Sequence, residues 1–223
     1  MERLFLCGDS TMASYSPADT PIVGWGQVLA ERLGTDRVRN HAMAGRSTRT
    51  FLQEGRLARI EPELAPGDLL LIQFGHNDGG NKPERHTEPW GDFTENLTVF
   101  LDTAEAHGAR PVLLTPICVQ IWEDGVLLLS HAGYLEAVRA LAERRGVPLI
   151  DLYAESRRVV EALGPEASKA LYLHLAPGED VHFPDGVSDT THTRRPGAER
   201  YAEIVQRALE DLSLLPRGEE RNA

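Results

Sequence analysis

A side-chain hydroxyl attacks an ester only if a base removes its proton and donors receive the charge that collects on the carbonyl oxygen. The stretch "SDTTH" (188–192) offers a base: Asp189, three residues before His192, is placed to accept from one ring nitrogen and leave the other basic. The same spacing also suits a surface turn or helix start in which Asp189 caps backbone amides. A nucleophile would separate the two readings, and "GDST" (8–11) supplies a candidate. There Gly8 permits a tight turn and Ser10 stands where a helix could begin, its own N–H available to an oxyanion, although an N-cap serine would look the same. Gly45 in "NHAMAGRSTRT" offers a backbone N–H unobstructed by any side chain, and Asn77 in "GHND" offers an amide.

These residues need a scaffold that collects them. Short apolar runs, "RLFLC", "VRNHA", "DLLLIQF", "RPVLLTPI" and "VPLID", read as strands, and the third and fourth are apolar enough to be buried on both faces. Between them, "GWGQVLAERLG", "DFTENLTVFLDTAEAHG", "YLEAVRALAERRG" and "PGAERYAEIVQRALEDL" carry apolar residues at helical spacing, and Gly34, Gly108 and Gly146 stand where helices end. The alternation predicts an α/β chain with one parallel sheet and helices on both faces. In such a sheet, functional loops gather at the carboxyl ends of the strands, where Ser10, Gly45 and Asn77 all fall. The 223 residues read as a single domain, with about 214–223 a frayed tail.

Composition narrows the partners. With 34 acidic against 23 basic side chains and a net charge of −11, nucleic acid and anionic membrane are disfavoured. No apolar stretch approaches membrane-spanning length. The two cysteines, Cys7 and Cys118, lie in or after apolar runs and fit no zinc spacing. Together with the absence of a signal-like start, they point to a cytoplasmic protein.

The four blocks "GDST", "NHAMAGRS", "GHND" and "DTTH", in that order, resemble the SGNH or GDSL-type hydrolases over nearly the whole chain. The finer similarity is to the rhamnogalacturonan acetylesterase subgroup, through "GDSTMASYSP", "GWGQ", "AGRSTRTF", "GHNDG" and the long segment that ends in "SDTTH". The resemblance implies a flavodoxin-like three-layer sandwich with a five-stranded parallel sheet. It also implies a Ser10, His192 and Asp189 triad, and an oxyanion hole built from Ser10, Gly45 and Asn77. The expected activity is removal of acetyl groups from acetylated pectin fragments, with an acetylated oligosaccharide as partner and no metal or organic cofactor. "GDSTM" lacks the second glycine of the Gly-x-Ser-x-Gly elbow, which disfavours the α/β-hydrolase fold.

Other residues carry competing readings. Arg46 and Arg49 could meet a uronate carboxylate or form ordinary surface pairs. Trp122, and less so Trp90, could stack on a sugar or belong to the core. His76 reads as a structural neighbour of Asn77. A metal set drawn from His174, His182, Asp185 and His192 matches no established spacing. Residues 117–133 carry no site motif, and the oligomeric state is open. A short-chain lipase or thioesterase, an acetylxylan-type esterase, and a noncatalytic carbohydrate-binding protein on a hydrolase scaffold remain alternatives.

Overall fold

In a computed structural model, residues 2–80 and 82–217 are described. The strands are β1 (Leu4–Gly8), β2 (Val38–Asn40), β3 (Leu69–Gln73), β4 (Arg110–Leu114), β5 (Trp122–Glu123), β6 (Val126–Leu127), β7 (Leu149–Ile150), β8 (Tyr172–Leu175) and β9 (Val187–Thr193). The helices are α1 (Trp25–Leu33), α2 (Thr48–Gln53), α3 (Arg56–Ile60), α4 (Thr94–Ala106), α5 (Tyr134–Arg145), α6 (Leu152–Ala167) and α7 (Arg195–Asp211). All the strand runs read from sequence pair in one parallel five-stranded sheet, in the order β2-β1-β3-β4-β7. This is the expected flavodoxin-like sandwich.

The continuous apolar character of β1 and β3 follows from the pleat, which sends successive side chains to opposite faces. Leu4, Leu6, Leu69 and Leu71 face one side, packing with Trp25 and Leu29 of α1, Val160 of α6, and Tyr201 and Val205 of α7. Phe5, Cys7, Leu70 and Ile72 face the other, against Phe51 of α2, Ile60 of α3, Phe100 of α4 and Leu141 of α5. Each strand therefore glues both helical layers.

Several elements depart from the sequence reading. Helices α2 and α3 have 6 and 5 residues, too short for a periodic pattern to stand out. Helix α6, not read from the sequence, follows β7 almost at once, its start capped by the Asp151 carboxylate accepting from the Ala154 N–H. Residues 117–133 contain the small hairpin of β5 and β6. The tail expectation is corrected in part: Leu214 and Leu215 are buried in the core beside α7 rather than frayed, while residues 218–223 lie outside the described residues.

The site is positioned by topology. From β1 the chain runs to β2 on one side, while β3 lies on the other, so a crevice opens at their carboxyl ends. The loops carrying Ser10 and Asn77 leave the sheet on either side of that point.

Candidate active site

The turn after β1 is built by a carboxylate. Asp9, fully buried, accepts at Oδ1 from the Thr11 N–H at 2.9 Å and the Thr11 hydroxyl at 2.8 Å. The amides of Met12 and Ala13 fold back to the Asp9 carbonyl. Ser10 is thereby held on the crest of a turn and does not begin a helix, a correction to the sequence reading: the chain stays irregular until α1 opens at Trp25. Gly8 is required here because a Cβ would lie 2.8 Å from both the Gln73 carbonyl of β3 and the Met12 sulfur. The Tyr15 hydroxyl donates to the Ser10 carbonyl at 2.8 Å.

His192 arrives on β9, which pairs antiparallel with β8 away from the main sheet. The expected turn or helix start is instead a bulge in a strand. The ladder places Tyr172 opposite Thr193 but the next residue, Leu173, opposite Asp189, so residues 190–192 loop out. The Asp189 Oδ1 secures the loop by accepting from the Thr191 and His192 amides at 2.8 and 3.0 Å. Asp189 thus does both things its spacing allowed: it caps backbone amides and it holds the imidazole. Its Oδ2 lies 2.7 Å from His192 Nδ1, and His192 Nε2 lies 2.9 Å from Ser10 Oγ.

Electrostatics fix the proton positions along this chain. Partial burial works to raise the Asp189 carboxyl, but bonds from the His192 ring and from the His192 and Thr191 amides outweigh it and hold the group at about 2. Being ionised, it accepts from Nδ1–H, which leaves Nε2 as the acceptor for the serine hydroxyl. The bond to Asp189 raises the His192 pKa against an opposing effect of burial. The arrangement is competent to draw a proton from Ser10 as its oxygen attacks.

Asn77 and Gly45 stand on neighbouring loops at the same rim. The Met43 amide bonds the Gly8 carbonyl at 3.0 Å, drawing the Gly45 loop alongside the Ser10 turn. Gly45 has φ +77°, the left-handed region that suits glycine. Asn77 Nδ2 donates to the Arg46 carbonyl at 3.1 Å, tying the two loops together with one of its two N–H groups.

Sequence reasoning missed the groups that brace these loops. His76 Nδ1 lies 3.2 Å from the Asp9 carboxylate, linking the Ser10 turn to the Asn77 loop, so His76 is more than a neighbour of Asn77. Asp78, buried among the loops, accepts at Oδ1 from the Thr48 N–H at 2.9 Å, the Thr48 hydroxyl at 2.6 Å and the Thr87 hydroxyl at 3.0 Å. Burial pushes this carboxyl up to about 6 despite those bonds. Arg85 follows on the segment that Thr87 ties down, its Nη1 donating to Asn77 Oδ1 at 3.3 Å. The only sequence signal for Asp9 and Asp78 was their place inside the quoted blocks; nothing marked Arg85.

The remaining candidates fall into place as follows. Arg46 pairs with Glu54 at 3.0 Å and Arg49 with Asp92, so both guanidiniums already face carboxylates. Trp122 packs against the core at the β5–β6 hairpin, and Trp90 is exposed. His174 bonds Gln120 and Ser188, and His182 bonds Asp180 and the Ala18 carbonyl. Among the described residues no cluster of three or more His, Cys, Asp or Glu could hold a metal ion.

Residues 6–192 match the model of the GDSL-like lipase/acylhydrolase family. The chain is 42% identical over 214 residues to the rhamnogalacturonan acetylesterase RhgT of Bacillus subtilis (strain 168), covering 95% of this chain and 91% of that protein. Among solved structures, the YxiM protein of Bacillus subtilis superposes with a TM-score of 0.78 at 29% identity, covering 95% of this chain and 57% of that one. The acetylxylan esterase Axe2 of Geobacillus stearothermophilus shares the fold, with a TM-score of 0.64 at 18% identity over 93% of this chain and 94% of its own.

Proposed function

Because this chain belongs to the GDSL-like lipase/acylhydrolase family and is a hydrolase of ester bonds, we propose that it removes O-acetyl groups from acetylated rhamnogalacturonan fragments by a Ser10, His192 and Asp189 triad. The observation that carries the mechanism is the contact of His192 Nε2 with Ser10 Oγ at 2.9 Å between residues 182 positions apart, with Asp189 behind the ring. Neither block positions the other locally, so only the fold aligns them.

His192 takes the Ser10 proton as Oγ bonds to the acetyl carbon, and the carbonyl electron pair moves onto oxygen. The Ser10 and Gly45 N–H groups and the remaining N–H of Asn77 receive that charge. Collapse of the intermediate breaks the bond to the sugar oxygen, which takes the proton from His192. Water then attacks the acetyl-serine with His192 again as base, and the bond from the acyl carbon to Oγ breaks as Oγ recovers that proton from His192, releasing acetate.

The sugar reading rests on the 42% identity to a rhamnogalacturonan acetylesterase. Arg46, Arg49 and Trp122 are its candidate contacts with the chain. The two arginines engage a uronate by exchanging Glu54 or Asp92 for it, at small cost because exposed pairs contribute only about 0–1 kcal/mol. A cytoplasmic site of action on small fragments belongs to the same proposal, and cell fractionation tests it.

The decisive experiment compares acetate release from acetylated rhamnogalacturonan and acetylated xylan fragments by wild type and Ser10→Ala. Faster release from the pectin fragments, lost in a folded Ser10→Ala, is expected. Equal rates or a xylan preference would remove the sugar reading. Near wild-type turnover by Ser10→Ala would remove the triad.

A further inference from the structure

The three arginines around the Gly45 and Asn77 loops are not equivalent. Arg46 and Arg49 are each bound to a carboxylate. Arg85, half-buried, has no carboxylate partner among the described residues; its guanidinium bonds the neutral Asn77 Oδ1 at 3.3 Å. The same guanidinium covers Gly45, since a Cβ there would lie 3.3 Å from both Nη1 and Nη2. One cation thus bonds the Asn77 amide and stands over Gly45, the two loop residues assigned to the oxyanion hole.

We propose that Arg85 is a positioning residue for the oxyanion hole, fixing the orientation of the Asn77 amide through its bond to Oδ1. The inference rests on the serine esterase reading above. An amide has one accepting and one donating end. With Arg85 on Oδ1 and the Arg46 carbonyl on Nδ2, a flip would set N–H against guanidinium N–H and carbonyl against carbonyl. The flipped state is excluded, and the second N–H of Asn77 stays committed to the developing oxyanion. A charge-assisted bond to Oδ1 also draws electron density from the nitrogen, which makes that N–H a stronger donor. Arg85 is itself held in place: the Thr87 amide bonds the Asp78 carbonyl and its hydroxyl bonds the Asp78 carboxyl, pinning the segment two residues beyond it.

The test uses para-nitrophenyl acetate, which carries no charge for Arg85 to bind. Arg85→Met is expected to lower kcat about tenfold with KM unchanged, less than the 10²–10³ typical of losing a donor outright. Arg85→Lys should recover part of the loss, because it keeps the charge without the planar fork. In an Asn77→Ala background the Arg85→Met change should alter kcat by less than about twofold, since the group it positions is gone. Should Arg85→Met fail to fold by circular dichroism, Arg85→Gln and Arg85→Lys enter the same cycle. Unchanged kcat on the neutral ester, an equal loss with and without Asn77, or a loss confined to uronate-bearing substrates would each overturn the positioning role. Wild-type turnover by Ser10→Ala would instead overturn the esterase reading and this inference with it.

Discussion

His192 is pulled in two directions: the bond to Asp189 favours its charged form and partial burial opposes it, with a net upward shift. Because only the neutral ring accepts a proton, kcat/KM should rise with pH, with its midpoint above the ordinary imidazole value of about 6.5. Asp189→Asn removes the anion, so the midpoint should fall and the plateau should drop, though less than in His192→Ala. A pH titration of the three proteins on a neutral ester checks this, and an Asp189→Asn midpoint equal to or above wild type would contradict it. Asp189 adds a stability effect of the depressed-carboxylate kind. Its contribution is complete above the unfolded value near 3.9 and is lost as pH falls through the folded value of about 2.

At the scale of elements, the rim loops are cross-braced by buried carboxylates as well as anchored by apolar side chains such as Met12 and Phe74. Asp78 joins the start of α2, through Thr48, to the Thr87 segment, and its folded value of about 6 has a calculable consequence. Between about pH 4 and 6 the folded protein holds a proton that the unfolded chain has released, so stability falls as pH rises across that window. Asp78→Asn should flatten that slope in urea denaturation at a series of pH values, and an unchanged slope would refute the assignment. Asp78→Ala, which strips three donors of their acceptor, should cost roughly 2–4 kcal/mol at neutral pH. A second element prediction concerns the stretch after α7. Leu215 is only 6% exposed, so Leu215→Ala should lower stability by roughly 2–5 kcal/mol, as core truncations do. A change within about 0.5 kcal/mol would mean that Leu215 behaves as a surface residue.

The whole molecule places a nearly covered serine at the switch point of its sheet, with His192 brought in from a separate strand pair. Ser10 is 5% exposed, and we propose that its acyl group takes a small space between the rim loops and β9. Added methylenes then meet packed atoms, at a cost of about 1–3 kcal/mol. Acetyl esters should be cleaved faster than butyryl esters, and octanoyl esters scarcely at all. A chain-length series of para-nitrophenyl esters measures this, and a rate that climbs toward octanoyl would show an apolar acyl slot instead.

The sequence by itself determined the sheet and offered the candidate chemical groups. Strands buried on both faces must be apolar throughout, so β1, β3 and β4 stood out. Ser10, Gly45, Asn77, Asp189 and His192 could be offered as candidates because each sits in a short block and the blocks fall in order along the chain. Tertiary structure decided what has no local signal. The bulge that aims His192 is a mismatch between β8 and β9, visible only once they pair. The braces from His76 to Asp9 and from Asp78 to Thr48 span 67 and 30 positions, and neither partner carries a pattern that points to the other. The partners of Arg46, Arg49 and Arg85 were equally hidden. A long side chain finds its charge or amide in space, and only the folded chain sets which carboxylates lie within reach.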